Sequence, residues 1–195
     1  MTTQLVRQRR SRWILVLIAL VSILPFVFAW LYANNPHLIT KRSNFGNLIH
    51  PAQPLDYAQL ISGSSSSDTT LQEIKGRWVL LQILPGGTCG APCRKSLHAT
   101  RQVRLMLNKD LPRLRRLFLR GNGDGGIEQE ADLLQGGIGE AGLEKLTRAM
   151  GRAPEEGTVI LLDPFANAMM WYGPGFDPYG MLKDLKQLLR TSQIG

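Results

Sequence analysis

Residues 13–32 read WILVLIALVSILPFVFAWLY, an apolar run broken only by Ser22 and Pro25. In helical form the 20 residues rise about 1.5 Å each and span about 30 Å, the thickness of a bilayer's hydrocarbon core. Thirteen of them are Leu, Ile, Val or Phe, each worth roughly −0.3 to −0.6 kcal/mol at the membrane centre. Trp13, Trp30 and Tyr32 mark the two ends, as interfacial aromatics do. A cleaved signal peptide would have a shorter apolar region, about 7–15 residues, followed by small residues. Here Val27-Phe28-Ala29 is the one weak cleavage site, so an uncleaved anchor, kinked at Pro25, is expected. Arg7, Arg9, Arg10 and Arg12 precede the run and no acidic residue does. The positive-inside rule then leaves the N-terminus in the cytoplasm. In a Gram-negative host the anchor would lie in the inner membrane and the rest of the chain in the periplasm.

The rest of the chain is long enough to bury a core without staples. The expected organisation is a basic tail (1–12), a transmembrane helix (13–32), a stalk and lead-in (33–55) and a folded domain (56–195). The net charge of +8 includes the four arginines of the tail. Beyond them 19 basic residues face 15 acidic ones, a balance that does not suggest nucleic acid as a partner. One stretch is sharper: residues 94–120 hold nine Lys or Arg and a single acid, Asp110. That is either a solvated helix face or a docking surface for anionic lipid or an acidic partner.

Within the domain, RWVLLQIL (77–84) predicts a strand buried on both faces. Residues 85–89 turn the chain, and a helix from about 91 to 107 sets Leu97, Thr100, Val103 and Leu107 toward the core. RRLFL (115–119) predicts a second strand. The serines at 64–67 and the glycine-rich stretches 121–126 and 136–139 read as loops; GNGDGG lacks the spacing of a phosphate loop or an EF-hand. A helix over 141–150, strands over 158–162 and 167–172 paired through the turn 163–166, and a helix from Pro178 to about Thr191 complete the pattern. The order gives an α/β domain whose central sheet is flanked by helices.

The two cysteines, Cys89 and Cys93, lie where the buried strand meets a helix N-terminus. The helix dipole, Arg94 and Lys95 would stabilise a thiolate there, the form that attacks disulfides and binds metals. At this spacing the thiols fall on one side of a helix, able to share a metal ion, or to close a disulfide if Cys89 lies in the turn. A purely structural bridge would close a very short loop for little entropic gain. Both cysteines are therefore candidate catalytic residues and candidate metal ligands, with Cys89, nearer solvent, as the attacking thiol.

A membrane anchor, WVLLQIL, CxxxC at a helix start, then TVILLDP resembles the Sco/SenC group, with an NxGxLIxP-type segment at Asn44, Gly46, Leu48, Ile49 and Pro51. The resemblance implies a tethered thioredoxin-like fold and a role in cytochrome c oxidase assembly, delivering copper or reducing client thiols. It covers about residues 43–192. The departures bear on chemistry. Arg94 follows the second cysteine where the group has proline. The copper-binding histidine that the group carries before TVILL falls by count at about Glu155, so a third ligand is missing. Gly157 falls at the thioredoxin cis-proline position, with Pro154 nearby.

Other donors are weaker. His50 in the lead-in is a weak third-ligand candidate. His98 is expected to face solvent and His37 to lie at the membrane interface. Met169 and Met170 fall on a strand, so one of them packs in the core. Three readings stay open: copper handling, with Cu(I) preferred to Cu(II) because two thiolates suffice for it; thiol–disulfide exchange; and a non-catalytic scaffold docking through 94–120. The expected partners are the membrane and a respiratory oxidase subunit or another membrane-associated client.

Overall fold

The computed structural model describes residues 2–35, 44–61, 67–127, 130–192 and 194. His37, residues 36–43 of the expected stalk and most of the serine loop lie outside the described residues. The chain divides into two units, Met1–Ser43 and Asn44–Gly195. The first holds helix α1 (Thr2–Asn34), which runs on through Pro25. Its segment Trp13–Asn34 is long and apolar enough to cross a membrane, and its apolar side chains are exposed.

The second unit is a six-stranded mixed sheet with helices on both faces. Strand β1 (Asn47–Pro54) is followed by short helices α2 (Tyr57–Leu60) and α3 (Ser67–Ile74). Then come β2 (Trp78–Thr88), α4 (Ala91–Leu105), a 3-10 turn (Asn108–Arg113), β3 (Leu114–Gly125) and β4 (Leu133–Gly137). Helix α5 (Glu140–Met150), the hairpin β5 (Val159–Leu162) and β6 (Asn167–Tyr172), and α6 (Pro178–Thr191) complete it. The sheet order is β1-β6-β5-β2-β3-β4. Strands β2, β3 and β4 are parallel; β5, β6 and β1 are each antiparallel to the neighbour before.

Strand β2 is central and buried on both faces, as its apolar run requires. Val79, Leu81 and Ile83 pack on one side with Leu60, Ile74 and Leu146 from α2, α3 and α5. Trp78 and Leu80 pack on the other with Val103 of α4 and Met181, Leu182, Leu185 and Leu189 of α6. The α6 stripe is therefore core, and Asp177 caps that helix by accepting from the backbone N–H groups of Tyr179 and Gly180. Met170 is core on β6, while Met169 is half-buried.

Three expectations change. The lead-in is not all stalk: residues 47–54 form edge strand β1, where prolines cost no ladder bond. Neither 85–88 nor 121–125 is loop, because β2 and β3 stay paired out to Thr88 and Gly125. A Cβ on Gly121 would run into the Pro85 carbonyl, so glycine there lets the two backbones close up. Residues 136–137 likewise belong to β4, where Gly136 leaves room for Ile61 and Leu119.

The lead-in is tied down by Asp184 of α6, which is buried. Its carboxylate accepts from the backbone N–H of Phe45 (2.9 Å), of Gly46 (2.9 Å) and from the Tyr172 hydroxyl (3.0 Å). Burial, and then this carboxylate, push the Tyr172 phenol pKa up, keeping it a neutral donor. Asp184→Ala leaves two buried donors and one part-buried donor unmatched; we expect a loss of about 3 kcal/mol, read as a lower urea midpoint of the detergent-solubilised chain. An unchanged midpoint would show that the clamp is dispensable.

Candidate functional site

The site is built where β2 ends and α4 begins. The paired extension of β2 and β3 carries the chain to Thr88, and Cys89 follows. Gly90 is the N-cap of α4 and has no side chain to cap it; Pro92 lies in the first turn, where its missing N–H costs nothing. Cys93 lies one residue further, on the inner side of the helix.

Cys89 and Cys93 form a disulfide with their Cα atoms 5.3 Å apart. Leu84, Leu97, Phe118 and Leu133 pack around it, with Ile127 at the edge. Both cysteines are 3% exposed. Cys89 is thus not the more open of the two: the strand extension and the loop before β5 cover it as fully as the helix covers Cys93.

Glu156 is the residue that counting along the chain missed. Its carboxylate and both sulfurs lie within 4.8 Å of one another, the one group of three potential metal-ligating side chains among the described residues. One oxygen accepts the Gly90 N–H at 2.5 Å, which satisfies one of the free backbone donors at the start of α4. A Cβ on Gly90 would stand 2.8 Å from that oxygen, so the glycine makes room for the carboxylate. Glu155, the position reached by counting, is exposed and pairs instead with Arg152. The carboxylate beside the sulfurs is thus that of Glu156, one residue beyond the position reached by counting.

Gly157 explains how Glu156 arrives. Its φ is +85°, and its ideal Cβ would lie 2.9 Å from the Pro92 carbonyl. The loop before β5 therefore presses on the first turn of α4 through a residue that carries no side chain. The cis peptide bond among the described residues is His50–Pro51, on β1.

Arg94, the first departure from the resemblance, donates to the Cys89 carbonyl at 2.8 Å and so closes the cysteine loop from the outside. His50 is exposed on β1, which two strands separate from β2, and it does not join the cysteines. His98 is exposed on α4.

The basic run 94–120 separates into two sets. Arg116 is fully buried and bound to Glu130 (2.9 Å), Asp132 (3.2 Å) and the Leu97 carbonyl (2.7 Å). Arg104 pairs with Asp132, Arg115 with Glu73, and Arg113 with Asp110 and the carbonyls of Leu189, Ser192 and Ile194. Arg94, Lys95, Arg101 and Lys109 are exposed. Much of the charge that looked like a surface is therefore internal wiring.

Residues 78–192 match a family model described as transmembrane-like, thioredoxin-like, C-terminal domain. Among solved structures, apo Sco1 from Thermus thermophilus is similar, with a TM-score of 0.56 at 15% identity over 76% of this chain and 99% of that one. Yeast Sco1 with copper bound gives 0.48 at 13% identity, over 62% of this chain and 83% of that one. A thiol:disulfide interchange protein from Bacteroides sp. gives 0.44 at 12%, over 76% and 91%. No curated protein matches. At such identities the likeness is one of fold: a thioredoxin-like domain, as the order of strands and helices led one to expect.

Gly157→Ala should strain the positive φ and push the loop off Pro92. We expect a loss of about 1–3 kcal/mol, with faster reduction of the disulfide by dithiothreitol as its cover loosens. A variant reduced at the wild-type rate would show that this approach does not guard the sulfurs.

Proposed function

Because the chain belongs to the family of transmembrane-like, thioredoxin-like C-terminal domains, we propose that it is a membrane-anchored thiol-redox factor acting on a membrane-associated client, with a subunit of a respiratory oxidase as the client that the Sco-like fold favours. The N-terminus is cytoplasmic and the domain lies across the inner membrane, in the periplasm, where thiols can be oxidised. The observation that carries this reading is the Cys89–Cys93 disulfide at the start of α4, with a carboxylate beside it and, among the described residues, no imidazole.

The chemistry balances as a dithiol–disulfide exchange. In the reduced protein one cysteine thiolate attacks a client sulfur and displaces the other as a thiolate. The second cysteine attacks the mixed disulfide, the client leaves as a dithiol, and Cys89 and Cys93 close the bridge. Two electrons and two protons pass to the client. Which cysteine attacks first depends on which is uncovered when the loops over them open, since the closed form buries both.

The donor set also supports a second reading, with copper as cargo. Two thiolates suit Cu(I); a carboxylate is a hard ligand that adds little to Cu(I), and a Cu(II) site wants an imidazole, which no described residue places beside the cysteines. The reduced pair would then carry Cu(I) and release it to the client.

Titration with glutathione tests the first reading. We expect a potential above about −300 mV, within reach of cellular thiol couples; a lower value would mark an inert structural bridge. Competition for Cu(I) against a chelator tests the second. The reduced wild type should hold Cu(I) and the Cys89→Ser/Cys93→Ser double variant should not, whereas equal affinities would remove copper from the account.

A further inference from the structure

The outer face of α4 carries Arg94, His98 and Arg101, spaced by four and three residues so that they form one stripe. All three are exposed. They line a cavity of about 460 Å³ together with Leu97, Ile127 and Glu130. Leu97 and Ile127 are also part of the apolar cluster around the disulfide, so the floor of the groove is continuous with the walls of the cysteine site. Arg94 joins the two directly through its bond to the Cys89 carbonyl.

Among the described residues the charge of the groove is one-sided. Glu130, its acid, is already bound to buried Arg116 at 2.9 Å. Neither Arg94 nor Arg101 forms an ion pair with a described residue, whereas Arg104, one turn on from Arg101, is tied to Asp132. The free positive stripe therefore begins at the disulfide and ends at Arg101. From residue 94 to 101 the helix rises about 10 Å, the length of about three residues of extended peptide.

We propose that this groove binds an acidic stretch of the client polypeptide, with carboxylates about three residues apart on Arg94 and Arg101, and so holds the adjoining client disulfide over Cys89 and Cys93. Guanidinium groups take carboxylates in paired hydrogen bonds, and His98 adds a donor between them. Leu97 and Ile127 receive the apolar side of the peptide. The inference rests on the thiol-exchange reading and gives that reaction a substrate class.

The test uses the full chain, reduced, in neutral detergent micelles. Its rate is measured with two synthetic peptides that share one disulfide and differ in flanking residues, Asp/Glu against Lys. Each rate is divided by that variant's rate with uncharged hydroxyethyl disulfide. At low salt we expect the acidic peptide to react at least 10-fold faster, with the ratio shrinking as salt rises. Arg101→Gln should remove most of the preference and Arg101→Glu should reverse it. Equal normalised rates overturn the assignment, as does a preference that survives Arg101→Glu. Loss of the preference in nanodiscs containing phosphatidylglycerol but not in phosphatidylcholine would give the groove to lipid headgroups and overturn it too. Failure to react with any of the three disulfides overturns the thiol-exchange reading, and this inference with it.

Discussion

A side-chain amide buried in a strand covered on both faces needs partners for its nitrogen and its oxygen, and Gln82 is that amide in the apolar run of β2. Its amide donates to Ser96 Oγ at 2.9 Å and its carbonyl oxygen accepts from Thr100 at 3.1 Å. Both partners lie on the inner face of α4, one turn apart. This pairing fixes the helix along the strand as well as against it, because sliding by one turn would strand the amide in an apolar layer. Cys93 lies three residues before Ser96, on the same inner side. The register that Gln82 imposes therefore decides where the second cysteine stands relative to the end of β2, and hence whether it meets Cys89.

The same layer accounts for the fate of the basic run. Arg116 projects from β3 beneath α4 and donates to Thr100, extending the Gln82 network. A fully buried guanidinium is costly unless its charge and donors are met. Glu130 and Asp132, on the segment leading into β4, meet them. That segment is held beside the first turns of α4 partly by this charge. The wall of the groove next to the disulfide, where Glu130 and Ile127 stand, thus depends on an internal cation.

Long elements with one clear period were legible in the sequence. The strand at 78–84, helix α4, the hairpin β5–β6 and helix α6 needed only hydrophobic spacing and proline or aspartate starts. Helices α2 and α3, too short to show a clear period, were not foreseen. The misses along the strands share a physical cause, since glycine and proline were read as breaks where they permit close packing. Gly121 lets β3 run beside the end of β2, Gly136 fits an edge strand between Ile61 and Leu119, and Pro51 and Pro54 are harmless on edge strand β1. The cysteine pair was legible as a site because its place between strand and helix follows from local pattern. Glu156 was not, because its contact with Gly90 spans 66 positions and no local pattern marks it.

The departures around the cysteines form one unit rather than several separate losses. A carboxylate can reach the N-terminus of α4 only if the N-cap has no side chain, which Gly90 provides. It can arrive from the loop before β5 only if that loop comes within touching distance of Pro92, which Gly157 provides with a positive φ that a larger residue would resist. A histidine at 156 would leave Gly90 without the oxygen that accepts its N–H. The carboxylate is accommodated by two glycines, Gly90 at the helix start and Gly157 in the loop that meets it. What the chain places beside the two sulfurs is therefore an oxygen donor held at the N-terminus of α4.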